Sequence, residues 1–321
     1  FLFLSFFHIG KPFCLSHLIL FITMELPTDV HSTISRIEMF ETFDLSLVVL
    51  GGLLCWFGVQ LASRVFSSLC FQTYRSLSKE EKSDWDCRTV SWAHAVYASI
   101  FAFPIVCRNI FEESTVSLFF GKHFAGLDVH STLERRLYGE DNYALIVMAL
   151  SSSYFIWDLF VSLSHFELYG FGFLIHAVCC IGVFANSLRP FCLYYGGVFL
   201  MYEATGPFVN AHYFFDKFKR KSTLLGQFNS AMILITFFFV RLCFGNWQSY
   251  HFWVDIVTEW SRLSDRQWVY GVNPAESWFF VLAPLYCLSN LILNGLNIIW
   301  FVKIVHAGLT GQGSDKQKKV D

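Results

Sequence analysis

Apolar runs long enough to cross a bilayer alternate with short polar joints along most of this chain. The runs at 45–69, 90–107, 143–164, 171–185, 191–213, 223–244 and 278–304 each predict a helix. At 1.5 Å of rise per residue, about 20 residues span the roughly 30 Å hydrocarbon core. Gly51, Gly52 and Gly58 in the first run would let a neighbouring helix approach closely. Pro207 in the fifth run removes a backbone donor and should kink that helix beside Glu203.

The polar joints set the order of the helices. Ser78 and Glu81 have the spacing of a capping box, which predicts a short surface helix before Trp85. The 108–142 loop is mixed in charge, with an apolar patch at 116–120. The 165–170 turn is short, so the fourth run should return antiparallel to the third. After the sixth run, Trp253, Ile256, Val257, Trp260 and Leu263 recur at helical spacing. That stripe predicts an amphipathic helix lying in the headgroup layer.

Composition agrees with this pattern. Of 321 residues, 55% are hydrophobic and only 15% charged, where about 25% charged is usual. Mean hydropathy is +0.47. The fold class is therefore all-α, a polytopic membrane protein. A net charge of −2 without a basic stripe excludes a nucleic-acid footprint. The ten cysteines include no Cys-x-x-Cys pair, and most lie in or beside apolar runs, as small buried hydrophobes do.

The candidate chemistry sits inside the apolar stretch 145–210, which contains Asp158, His176 and Glu203. An ionisable side chain at the centre of a membrane helix costs about 2.5–3.5 kcal/mol, so such groups face a bundle interior or a wet cavity. Tyr154 and Asp158 are one helical turn apart, and Asn290, Asn294 and Asn297 form one stripe. The candidate lining of an enclosed intramembrane polar cavity is His94, Tyr154, Asp158, His176, Tyr202, Glu203, Asn210, Asn290, Asn294 and Asn297, the set that the resemblance below makes the lipid-binding candidates. Hydrogen bonding between helices, worth about 0.6 kcal/mol each, accounts better for the asparagines. Catalytic candidates are His176, Glu203 and Asp158, with Glu203 or Asp158 expected to contact His176. One histidine and two carboxylates on separate helices is a weak ligand spacing, so no metal is expected.

Residues 1–43 form an N-terminal segment, and 1–23, which precede the first methionine at Met24, are read as lying outside the mature protein. Residues 44–70 are an extra transmembrane helix and 71–84 a charged linker. The tail, 309–321, is polar. Arg75, Lys79, Lys82 and Arg88 fall on the same side as the basic turn at 217–221 and the tail, so the positive-inside rule places the C-terminus in the cytosol. There Lys318 and Lys319 match a dilysine retrieval signal, a receptor-read address for the endoplasmic reticulum membrane.

Across 85–308 the chain resembles the TLC domain family of ceramide synthases and translocating-chain-associated membrane proteins. The resemblance is carried by Val90-Ser-Trp-Ala-His-Ala95, Tyr154-Phe-Ile-Trp-Asp158, Phe173-Leu-Ile-His176, Tyr202-Glu-Ala-Thr-Gly-Pro-Phe-Val-Asn210 and Leu293-Asn-Gly-Leu-Asn-Ile-Ile-Trp300. Within that family it is similar to the TLC domain-containing protein 4 type. The resemblance implies a six-helix TLC barrel around a central cavity, plus one N-terminal transmembrane helix. Ceramide synthases carry a tandem His-His, a His-Asp and a further Asp. Here those positions read His176-Ala177, Tyr202-Glu203 and Gly206. The implied function is a lipid-binding protein of lipid homeostasis that needs no cofactor, with membrane lipid as its partner. The alternatives are an acyltransferase using acyl-CoA through His176 and Glu203 or Asp158, and a cargo or translocation partner.

Overall fold

The computed structural model describes residues 45–110, 133–139, 141–188, 191–270 and 274–310. The segment 1–43, the patch at 116–120 and the lysines 318 and 319 lie outside the described residues.

Six helical stretches are long and apolar enough to cross a membrane: Leu45–Cys70, Lys79–Cys107, Asn142–Ser164, Phe166–Leu188, Leu224–Asp265 and Trp278–Thr310. In chain order the helices are α1 (Leu45–Cys70), the single turn α2 (Gln72–Arg75), α3 (Lys79–Ile110), α4 (Leu133–Tyr138), α5 (Asn142–Ser164) and α6 (Phe166–Phe184). Then come α7 (Leu193–Leu200), α8 (Gly206–Lys217), α9 (Leu224–Thr236), α10 (Gly245–Tyr270) and α11 (Pro274–Thr310).

The neighbours close a ring. α3 packs on α5, α5 on α6, α6 on α11, and α11 on α10; the column of α7 and α8 then returns to α3. α1 stands outside this ring against α3 and α5. Gly52 is the contact point, because a Cβ there would collide with Ser153 of α5. Gly51 and Gly58 face open space. Trp56 pins the same junction by donating its indole N–H to Ser153 Oγ at 3.0 Å.

Local signals fix the helix ends. Ser78 and Glu81 form the reciprocal capping box, Glu81 N to Ser78 Oγ at 3.2 Å and Ser78 N to Glu81 Oε2 at 3.1 Å. The helix it starts is not a short surface helix, however. It continues unbroken to Ile110, so the second crossing begins well before 90. Asp141 caps α5 by accepting from Tyr143 N and Ala144 N. The fourth crossing is kinked near its start at Gly170, whose φ of 74° suits a residue without a Cβ.

The 191–213 run departs from a continuous helix. It divides into α7, a 3₁₀ turn at Met201–Thr205, and α8. Pro207 cannot donate to the carbonyl of Glu203, and its ring crowds that carbonyl, so the backbone tightens before it. The tightened turn carries Glu203. The sixth run departs in the other direction: a π-helical segment, Phe237–Phe244, joins α9 to α10 without a break.

The stripe at 253–263 is therefore not a separate helix on the headgroups. Val257 and Trp260 are exposed, but Phe252, Ile256 and Leu263 are buried in the core, and so are Asp255 and Glu259. Asp255 receives Arg136 Nε at 2.5 Å and Nη2 at 2.6 Å, and Tyr195 Oη at 2.5 Å. Glu259 receives Tyr138 Oη at 3.0 Å and two bonds from Arg262. These two acidic residues, not singled out from the sequence, clamp α4 to α7 and α10. Burial, with Glu259 beside it, pushes the Tyr138 hydroxyl well above its ordinary value, so it remains a donor.

Close packing of α7 on α3 is testable. A Cβ at Gly197 would lie 2.5 Å from Cγ2 of Ile105, which is buried and β-branched. Gly197→Ala should destabilise the detergent-purified chain by about 1–3 kcal/mol despite alanine's better helix propensity. Ile105→Ala alone should cost about 2–5 kcal/mol. In the double variant the alanine methyl occupies the vacated space, so thermal unfolding should show a loss smaller than the sum.

Candidate functional site

Glu203 and Arg241 face one narrow slot inside the ring. Its walls come from α5, α6, α7, the 3₁₀ turn, the π segment, α10 and α11, and its polar edge is His176, Tyr202, Glu203, Arg241, Asn290 and Asn297. Phe155, Phe184, Phe199 and Phe252 supply most of the apolar wall. The free space is about 40 Å³, enough for a few waters at roughly 10–15 Å³ each on that measure.

Each polar group is placed by the helix irregularity beneath it. The 3₁₀ turn before Pro207 carries Glu203, whose side chain is 16% exposed. The π segment carries Arg241, which donates Nε–H to the Tyr202 carbonyl at 3.0 Å and Nη1–H to Asn297 Oδ1 at 2.9 Å. Its guanidinium also lies 5.1 Å from the Phe237 ring centroid. Gly245 lets the Tyr202 ring lie against the start of α10, since a Cβ there would meet that ring. Tyr202 Oη then donates to Asn294 Oδ1 at 3.2 Å. Glu203 and Arg241 carry opposite charges and face the same enclosed slot.

The nearest histidine to Glu203 is His94, not His176. His94 Nδ1 lies 3.6 Å from Glu203 Oε2. The imidazole is fully buried, stacked on Tyr154 at 3.6 Å between centroids, with Trp56 of α1 edge-on at 5.6 Å. Neither ring nitrogen makes a hydrogen bond among the described residues. His94 thus sits behind Glu203, off the slot. His176 lines the slot but touches Cys180 Sγ, 3.6 Å from Nε2, and the Trp300 ring, 5.5 Å between centroids.

Other sequence candidates fall elsewhere. Asp158 is half-buried, outside the slot, and makes no hydrogen bond or ion pair among the described residues. The expected direct contact between a carboxylate and His176 is therefore replaced by the His94 contact. Asn210 is buried outside the slot and bonds back to the Gly206 carbonyl of its own helix at 3.1 Å. Tyr154 is buried against His94 and donates to Ser91 Oγ at 3.1 Å. Asn290 accepts from Trp253 and donates to Ser249, and Asn294 donates to Ser249 and Asn290. The asparagine stripe thus joins α11 to α10 while Asn290 and Asn297 also reach the slot. Among the described residues, no three His, Cys, Asp or Glu side chains form a metal-ligand group.

Arg241 was not among the residues singled out from the sequence. The signal was present: a lone arginine in Phe237-Phe-Phe-Val-Arg-Leu-Cys-Phe244 is as costly in a membrane as an acid.

Replacing this cation should be expensive. Arg241→Met leaves Glu203 with less compensation and frees the Tyr202 carbonyl and Asn297, so a loss of about 3–5 kcal/mol is expected in thermal unfolding. Arg241→Lys should fall between it and wild type, keeping the charge without the planar fork.

The model of the TLC domain family matches residues 84–306. An uncharacterized TLC domain-containing protein of Schizosaccharomyces pombe is 28% identical over 249 residues, 78% of this chain and 73% of its own length. The topoisomerase I damage affected protein 4 of Saccharomyces cerevisiae is 34% identical over 51% of this chain and 56% of its own length. The human TLC domain-containing protein 4 is 25% identical over 74% of this chain and 79% of its own. No solved structure matches the chain.

Proposed function

The chain belongs to the TLC domain family, and from that premise we propose that this multi-pass membrane protein binds a lipid at the Glu203–Arg241 slot, in the endoplasmic reticulum membrane, as part of lipid homeostasis. The observation that carries the reading is a carboxylate and a guanidinium facing one aromatic-walled space inside an apolar ring. Arg241 offers donors and Glu203 acceptors to a polar lipid head, while the phenylalanines offer apolar contact to a tail. Ligand pockets usually measure about 300–1,000 Å³, so a tail enters only as the walls part. The π segment beside Arg241 supports such movement, since π bulges break the regular i to i+4 ladder and often occur at functional sites. The charge asymmetry of the sequence supports a cytosolic C-terminus, with Lys318 and Lys319 as the retrieval address.

A transferase reading has one observation in its favour: His94 beside Glu203 is a base next to its orienting carboxylate. His94 is fully buried and off the slot, however, so it reaches no substrate there. Two synthase positions are also structurally closed. A Cβ at Gly206 would lie 2.5 Å from Ala95 Cβ, which leaves no room for the further Asp, and Ala177 is fully buried. Binding without turnover is the better reading.

Mass spectrometry of lipid co-purifying with the chain tests it. Wild type should retain a lipid, and Glu203→Gln and His176→Ala should each reduce its occupancy several-fold, with no acyl-CoA consumption in any of the three. Acyl-CoA turnover that His176→Ala abolishes would overturn the reading.

A further inference from the structure

A second polar space lies outside the ring, where α1 ends, α2 turns and α3 begins. It is an open pocket of about 570 Å³ with Arg64, Arg75, Lys79 and Lys82 in its walls, together with Ser68 and Ser83. None of these residues lines the slot.

Four cations share this pocket with one carboxylate, Asp86, and that carboxylate is turned inward and already engaged. It accepts Ser63 Oγ at 2.8 Å and Tyr74 Oη at 3.0 Å, and it meets Arg64 Nε at 3.4 Å. Burial, reinforced by Asp86, pushes the Tyr74 hydroxyl up to about 12, so it stays protonated and keeps donating to Asp86. Arg75 is held by the last carbonyls of α1, donating Nη1–H to Ser68 O at 3.0 Å and Leu69 O at 3.1 Å. Lys82 Nζ lies 5.9 Å over the Tyr74 ring. Lys79 and Lys82 have no carboxylate within ion-pair distance among the described residues. Four cations thus face one engaged carboxylate in the pocket wall, while Glu80, beside Lys79, and Glu81, paired with Lys217, lie outside that wall.

The surroundings say what kind of anion fits. On α1 the side chains of Leu54, Leu61, Val65, Phe66 and Leu69 are exposed along a membrane-length helix, and this apolar surface runs up to Arg64 and Ser68 at the pocket wall. A ligand with a phosphate in the pocket and acyl chains along α1 satisfies both surfaces. A zwitterionic choline head would bring its own cation against four others.

We propose that this pocket binds the phosphate of an anionic phospholipid at the membrane–water boundary, as a site separate from the slot and independent of what the slot holds. The tails lie on the outer face of α1, and the two unpaired lysines contribute most of the selectivity for negative charge.

Thermal unfolding of the full chain in detergent, titrated with dioleoyl phosphatidic acid, dioleoyl phosphatidylcholine or glycerol 3-phosphate, tests the site. Phosphatidic acid should raise Tm saturably and the other two should not. Lys79→Gln with Lys82→Gln should weaken the response about 25-fold, from roughly fivefold per cation near an anionic lipid. Lys79→Glu alone, at an exposed position, should weaken it further per residue than Lys79→Gln. A charge-matched control, Arg220→Gln with Lys303→Gln, should respond as wild type. An equal response from glycerol 3-phosphate would overturn the lipid as the source of the phosphate. An unchanged response in both lysine variants, or no response of wild type to phosphatidic acid, would overturn the site.

Discussion

A carboxylate and a guanidinium enclosed by apolar helices impose the main constraint on this molecule. Neither group is tolerated in hydrocarbon alone, and removing water from both is repaid only when their remaining hydrogen-bonding capacity is met. The fold brings both groups to one slot by giving up regular helix at two places. Met201–Thr205 tightens into a 3₁₀ turn that presents Glu203, and Phe237–Phe244 widens into a π segment that presents Arg241. Tyr202 connects the two, its carbonyl accepting from Arg241 and its ring resting where Gly245 leaves space.

Charge elsewhere is handled by the same rule with different outcomes. Asp255 and Glu259 are saturated by arginine and tyrosine donors, so they fasten helices and offer nothing to a ligand. In the slot, Arg241 is bonded to protein while Glu203 meets only the 3.6 Å contact to His94. At the end of α1 the cations outnumber the single engaged carboxylate. Unmet polar capacity therefore remains in the slot and at the end of α1, and α1, outside the ring, contributes both Trp56 behind the slot and Arg64 at the boundary.

What could be read from the sequence was what local spacing encodes. Run lengths gave six of the seven expected crossings, the 191–213 run being broken and not among the six stretches; Ser78 and Glu81 gave a helix start, and Pro207 gave the irregularity at Glu203. The intramembrane cost of charge pointed to Glu203 and His176, which do share the slot. The pairing was not legible, because His94 and Glu203 meet through the ring closure of α3 on the 3₁₀ turn, far apart in sequence. Arg241 was hidden inside the apolar run 223–244, which was read only as a crossing. The 253–263 stripe was assigned to the wrong face because its tryptophans suggest an interface, while the buried face gains its acids only through Arg136, Tyr138 and Tyr195 from other helices.

The most direct measurement is a double-mutant cycle on thermal or denaturant unfolding of the purified chain, using Glu203→Gln, Arg241→Gln and the pair together. Two groups that compensate one another inside the ring give a coupling of about 0.5–3 kcal/mol, with the double variant less damaged than the two single losses combined. Additivity within about 0.5 kcal/mol would contradict it, since each side chain would then be satisfied without the other.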